Sequence, residues 1–225
     1  MLTDPSAEPP ADRTHRDVLR KSYDAVSSEY AEHLFSELER KPLDRHLLNR
    51  FAEEVRDRGL VGDLGCGPGQ VARYLSERGV RMLGIDLSPG MIREASRLSP
   101  EIEFRMGDLL ALDLPDASLS GIVAFYSVIH FDPEQIGVAF REIRRVLDSD
   151  GVLLLAFHVG SETIHLDELW GRAVSLDFRF LDPNEIVPAL RKAGLHVTET
   201  VEREPYEGAE YPSRRCYLLA RPGRS

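Results

Sequence analysis

Val61-Gly62-Asp63-Leu64-Gly65-Cys66-Gly67-Pro68-Gly69 is the stretch that decides the fold of this chain. An apolar run ends at Leu64, a glycine-rich turn follows, and the pattern predicts a helix from about Gln70. In such a turn the backbone bends tightly and lies close to a ligand, and glycine permits both because it lacks a Cβ and tolerates positive φ. The N-terminus of the next helix offers unpaired N–H groups and partial positive charge, which suit a carboxylate or a phosphate. About twenty residues on, Asp86 closes a second apolar run. Its carboxylate is expected beside the glycine turn, where two ribose hydroxyls can donate to it, as in sites for adenosine-containing cofactors.

Outward from this unit, short apolar runs alternate with helical patterns. Strands are predicted at Leu60–Leu64, Arg81–Ile85, Glu103–Met106, Gly121–Phe125, Val152–Phe157, His196–Val201 and Arg215–Ala220. Ser88-Pro89, Asp132-Pro133 and Asp182-Pro183 read as N-caps followed by proline at the first helical position, and Glu185 is placed to complete a capping box with Asp182. Ile136, Phe140, Ile143 and Leu147 recur at helical spacing, and Asp150-Gly151 reads as a turn. The alternation implies an α/β fold: a Rossmann-like, doubly wound sheet of seven strands, mostly parallel and covered on both faces. Pro205, Gly208 and Pro212 separate the last two strands without a helical pattern, so that pair reads as a C-terminal antiparallel hairpin.

Ahead of the sheet lie two predicted helices, Asp17 to about Leu34 and Pro42 to about Arg58. The second carries an apolar stripe of Leu43, Leu47, Leu48, Phe51 and Val55. Residues 1–16 read as a disordered tail, and residues 17–225 as one domain with a helical cap over 17–58. The segment 158–181 breaks the alternation, holds Trp170, Phe178 and Phe180, and reads as an insertion near the mouth of the site.

Composition narrows the function classes. The chain has 225 residues, 42% hydrophobic and 29% charged, with a formal net charge of −10. That balance argues against a nucleic-acid partner, which calls for a basic face. Arg141, Arg144 and Arg145, and the pair Arg214 and Arg215, read as solvated faces. No apolar run approaches the roughly 20 residues that span a bilayer. Without a secretory signal, a cytoplasmic protein with Cys66 and Cys216 reduced is expected, and no metal-ligand spacing is present. A monomer or a homodimer is expected.

The turn has GxGxG spacing through Gly65, Gly67 and Gly69, unlike the GxGxxG of dinucleotide sites. Asp63 ahead of it repels a pyrophosphate and attracts an ammonium, so a cofactor with an amino-acid end is favoured over a nicotinamide. The segment resembles motif I of the class I S-adenosylmethionine-dependent methyltransferases, in the small-molecule branch that includes ubiquinone- and menaquinone-type enzymes. The resemblance covers about Tyr23 to Leu147 and implies S-adenosyl-L-methionine as cofactor, S-adenosyl-L-homocysteine as product and a small-molecule methyl acceptor methylated on oxygen, nitrogen or carbon. It places Asp63, Gly65, Cys66 and Gly67 along the methionine end, Asp86 on the ribose, and Leu87 and Met91 over the adenine. Met106-Gly107-Asp108-Leu109 matches the segment that holds the adenine amino group, through the Asp108 carboxylate and a Leu109 backbone N–H. Phe125-Tyr126-Ser127 matches the end of the fourth strand, with Phe125 and Tyr126 near the methionine amino group and Ser127 toward the acceptor. Tyr23 and Tyr30, seven residues apart on one helix face, resemble the tyrosine-bearing helix that closes over the cofactor. His130 is the first candidate for a general base and His158 the second, while Trp170 and Phe178 are candidates for the acceptor wall. A nicotinamide-dependent oxidoreductase and a non-catalytic S-adenosylmethionine-binding protein are the competing readings.

Overall fold

A computed structural model describes the backbone of residues 10–223 and the side chains from His15 onward. Helices α1 (Pro10–Leu34) and α2 (Pro42–Val55) precede the first strand. The alternating body then runs β1 (Leu60–Leu64), α3 (Gln70–Ser76), β2 (Arg81–Asp86), α4 (Pro89–Leu98), β3 (Glu103–Met106), β4 (Leu119–Phe125), α5 (Pro133–Val146) and β5 (Leu147–His158). After β5 come β6 (Thr163–Leu169), β7 (Arg172–Arg179), α6 (Pro183–Lys192), β8 (Leu195–Arg203) and β9 (Arg215–Pro222).

Seven strands form one sheet in the order β3-β2-β1-β4-β5-β9-β8. β1 to β5 are parallel, and β9 pairs antiparallel with both β5 and β8, as the predicted C-terminal hairpin requires. The strand order reverses between β1 and β4, so a crevice opens at their carboxyl ends, where doubly wound sheets bind ligands. Both faces are covered, and alternation along β5 divides the core. Leu153, Leu155 and Phe157 pack with Ile136 and Phe140 of α5 and Leu190 of α6. Val152, Leu154 and Ala156 pack with Leu48 and Phe51 of α2 and Leu75 of α3. Both faces of the central strands are apolar, which is why these strands read as continuous apolar runs.

Several expectations need correction. Residues 1–9 of the expected tail lie outside the described residues, but residues 10–16 are helical, because α1 starts at Pro10. Asp150-Gly151 is not a turn: β5 begins at Leu147 and runs through both. Asp182 caps α6 through Asn184 N, and the capping box forms instead at Asp132 with Gln135. The segment 158–181 is a two-stranded antiparallel hairpin, β6 with β7, whose turn residues Trp170 and Gly171 both have positive φ, 51° and 79°. Positive φ at both central residues is the type I′ pattern, whose twist matches that of the flanking strands. The hairpin docks on α1, where Ser22 Oγ accepts from Ser175 N at 2.9 Å and donates to Ser175 O at 3.2 Å.

Candidate active site

The crevice is a cavity of about 300 Å³ that runs from the glycine turn to the aromatic residues beyond β4 and β5. Every candidate cofactor, catalytic and acceptor residue lines it except Gly107, where an added Cβ would meet Ile85 at 2.7 Å, so this glycine packs against the sheet and not the cavity.

At one end the turn after β1 is pinned to β2, with Gly65 N and Cys66 N donating to Ile85 O at 2.7 and 3.0 Å. Gly67 has φ +53°, and a Cβ there would meet only Tyr30, at 3.8 Å. Asp86 at the end of β2 accepts from Gly67 N at 2.9 Å and from Ser88 N at 2.8 Å. Burial pushes its carboxyl up to about 6, against the pull of those backbone N–H groups. Asp63 accepts from Ala72 N in α3 at 3.0 Å, and burial pushes it up to about 7. Leu87 and the buried Met91 line the same end. Asp108 accepts from Leu110 N at 2.9 Å and pairs with Arg16 of α1, while Leu109 is buried beside it.

Helix α1 forms the cover. Its Asp24 accepts from Ser88 Oγ at 2.6 Å and Gly90 N at 2.8 Å, which fastens α1 to the start of α4. Tyr23 and Tyr30 face the cavity with ring centroids 5.9 Å apart, and Tyr30 meets Trp170 of the hairpin turn at 5.6 Å. The pKa of each phenol is raised, in each case first by burial, so both remain protonated donors.

His130 is held at both nitrogens. Nδ1 lies 2.8 Å from the Asp177 carbonyl, which only accepts, so Nδ1 carries the proton. Nε2 therefore accepts from the Tyr23 hydroxyl at 2.7 Å. Burial pushes the ring down to about 4. The expected general base thus offers no free nitrogen, and it ties β7 to α1. His158, at the end of β5, has only its Nδ1 engaged, 2.8 Å from Ser213 Oγ. Phe125 and Tyr126 end β4, and Tyr126 takes a positive φ of 55°, uncommon for a non-glycine residue. Phe178 meets His130 at 5.1 Å.

The sequence reading missed Lys41, Gln70, Glu210 and Tyr211, which also line the cavity. It also misplaced Arg215, which is 2% exposed and lines the cavity instead of forming a solvated face. Little in the sequence marked these residues, since residues 37–41 and 206–215 meet only in the fold.

Residues 61–151 match the family described as "Methyltransferase domain". The malonyl-[acyl-carrier protein] O-methyltransferase of Serratia marcescens is 31% identical over 108 residues, which is 48% of this chain and 42% of that one. The trans-aconitate 2-methyltransferase of Azoarcus sp. (strain BH72) is 35% identical over 119 residues, 52% of this chain and 45% of that one. The chain thus matches about half the length of these relatives. The crystal structure of Burkholderia thailandensis 1,6-didemethyltoxoflavin-N1-methyltransferase with bound 1,6-didemethyltoxoflavin and S-adenosylhomocysteine has the same fold, with TM-score 0.70 and 18% identity over 99% of this chain and 94% of that one.

Over residues 61–151 the chain is thus similar to a methyltransferase domain, and its fold is that of the S-adenosylmethionine-dependent methyltransferases.

The cavity fits S-adenosylmethionine on two counts. The space in front of Gly67 would be filled by a Cβ, so the turn leaves room for a ligand against the backbone. Ser127 Oγ and Gln70 Oε1 are buried without a hydrogen-bond partner among the described residues, and both residues line the cavity, as Asp63 does. Two orphaned oxygens and a carboxylate suit an ammonium, and leaving them unpaired is costly. Among the described residues no cluster of three or more His, Cys, Asp or Glu could hold a metal ion, and no helix is long and apolar enough to cross a membrane.

Proposed function

We propose that this protein transfers the methyl group of S-adenosylmethionine to a small-molecule acceptor bound in the aromatic half of the cavity. One observation carries the reading: a single continuous cavity joins the glycine turn and Asp86 to the rings of Tyr126, His158 and Phe178. When bound, the cofactor supplies an electrophilic methyl group on a sulfonium. The chain's own residues bind, orient and exclude water. Asp86 offers its remaining lone pairs to the ribose hydroxyls, Asp63, Ser127 and Gln70 receive the amino group, and Leu87, Met91 and Leu109 cover the adenine, with Asp108 at its edge. Helix α1 and the β6–β7 hairpin close the cavity, and holding acceptor and donor in line can be worth about 7–11 kcal/mol of barrier. The relatives named for malonyl-[acyl-carrier protein] and for trans-aconitate, and the neighbour with bound 1,6-didemethyltoxoflavin, support small or carrier-presented acceptors.

The reading is tested by incubating the protein with S-adenosylmethionine and a panel of small aromatic and aliphatic acids, phenols and amines. S-adenosylhomocysteine and any product heavier by one methylene are followed by mass spectrometry. Stoichiometric formation of both supports the proposal. Cofactor binding without transfer to any acceptor would favour a non-catalytic S-adenosylmethionine-binding protein.

A further inference from the structure

We propose that the acceptor is a carboxylic acid, and that its carboxylate docks on a donor-lined end of the cavity formed by His158, Arg215 and Lys41. This rests on the methyl-transfer reading and narrows it to an acceptor class.

The hydrogen-bond inventory at this end is uneven. Arg215 donates through NH1 to Ser213 O, and to Ser213 Oγ at 2.6 Å, and through NH2 to Tyr211 O at 2.9 Å. Its Nε is buried with no partner among the described residues. A guanidinium only donates, so Ser213 Oγ is the acceptor of that bond and its own hydroxyl hydrogen is left over. His158 Nδ1 lies 2.8 Å from this hydroxyl, and we assign the hydrogen to that nitrogen. The neutral imidazole then carries its proton on Nε2, which has no partner among the described residues. Burial first, and then the positive charges of Arg215 and Lys41, hold this ring neutral by pushing it down to about 3. The ring is stacked on Phe180 at 5.2 Å and lies 4.9 Å from Tyr126, so its edge is fixed. Lys41 Nζ donates to Glu37 at 2.5 Å and lies in an ion pair 3.6 Å from Glu210, beyond hydrogen-bond distance, which leaves two of its three hydrogens unspent.

The carboxylates at this end, by contrast, are in use. Glu210 receives Arg203, Arg215 and Tyr206 N, and Glu37 receives Lys41 and, at 3.0 Å, Gln70 Nε2. What remains unspent is therefore mainly N–H donors. An ionised carboxylate takes several donors and offers none, with more acceptor sites and stronger bonds than a neutral carbonyl oxygen. A phosphate also only accepts, but the charges here decide against a dianion. Lys41, Arg203 and Arg215 are joined by ion pairs to Glu37, Asp44 and Glu210, so the cluster is neutral overall, and a carboxylate adds one uncompensated charge where a phosphate dianion adds two. The Nε2–H assignment also removes His158 as a general base, since that nitrogen already carries its proton.

The test titrates benzoate, phenylacetate and 3-phenylpropanoate, each beside its amide, with phenyl phosphate as the dianion control, into the protein saturated with S-adenosylhomocysteine. At least one acid is expected to bind about tenfold or more tightly than its amide and than phenyl phosphate. Because Arg215 is buried and its replacement could unfold the chain, the informative variant is His158→Phe, which keeps a ring between Tyr126 and Phe180. It should weaken acid binding about tenfold and lose the preference for acid over amide. In the parent protein, nitrogen-15 spectra should show His158 protonated on Nε2, with that resonance moved by the acid and not by the amide. No acid preference in the whole series, a preference for phenyl phosphate, or a proton on Nδ1 would overturn the proposal. If S-adenosylhomocysteine itself fails to bind, the methyl-transfer reading fails separately, and the same acid and amide titrations on the protein alone still read the donor cluster.

Discussion

The Tyr23 hydroxyl donates to His130 Nε2 across 2.7 Å, joining helix α1 to the end of the fourth strand. The opposite nitrogen of the same ring donates to the Asp177 carbonyl in β7. One buried imidazole thus ties together the cover, the hairpin and the sheet. Tyr23→Phe leaves His130 Nε2 buried without a donor, which is expected to cost about 1–3 kcal/mol. A denaturant melt should show that loss. Methyl transfer should weaken through looser acceptor or cofactor binding, with no new ionisation in its pH profile, because His130 stays neutral above about pH 4 in the folded protein.

Cofactor affinity should rise with pH. Burial raises Asp63 to about 7 and Asp86 to about 6, so both are partly protonated in mildly acidic solution. An ammonium requires the ionised form of Asp63. Below about pH 6, affinity for S-adenosylhomocysteine should fall by up to about tenfold per unit, and it should level off above about pH 7. The same raised values mean that the ligand-free fold binds protons that the unfolded chain has released. Its stability is therefore lowered as pH rises from the unfolded value near 3.9 through the folded values. Calorimetry in buffers of different ionisation enthalpy should record proton release on binding near pH 6.

Gly67→Ala should separate fold from ligand. The new Cβ would meet only Tyr30 at 3.8 Å, so no packing clash arises, but it would occupy the space beside the turn. The φ of +53° adds a backbone cost of about 1–2 kcal/mol. Cofactor affinity should drop by more than that strain accounts for, read as a weaker dissociation constant in a variant that still melts cooperatively.

Gly171→Ala tests the hairpin turn by itself. Nothing lies within 4 Å of the Cβ it would gain, and its φ is +79°. The change should destabilise the protein by about 1–2 kcal/mol through the backbone alone, seen as a lower Tm.

How much of this was legible in the sequence depended on distance along the chain. The glycine turn, Asp63 and Asp86 lie within twenty-six residues, and the turn that binds is the same one that shapes the backbone, so pattern and chemistry coincide there. Asp132 and its proline likewise announced α5. The hairpin was missed because its turn is Trp170-Gly171, without the Asn-Gly or Asp-Gly signal, and because β6 and β7 are largely polar or half-exposed. His130 stood out by position, but the partners that engage both its nitrogens are 107 and 47 residues away. Arg215 follows Arg214 in sequence and so looked like a solvated pair. Only the pairing of β9 with β5 sets it opposite His158 and inside the cavity.

The most direct measurement is a calorimetric titration of the full chain with S-adenosylmethionine, S-adenosylhomocysteine and NAD. Saturable binding of the first two at one site, with none by NAD and with loss on Gly67→Ala, is expected. Tight NAD binding with no response to S-adenosylmethionine would contradict the central claim and make the glycine turn a dinucleotide site.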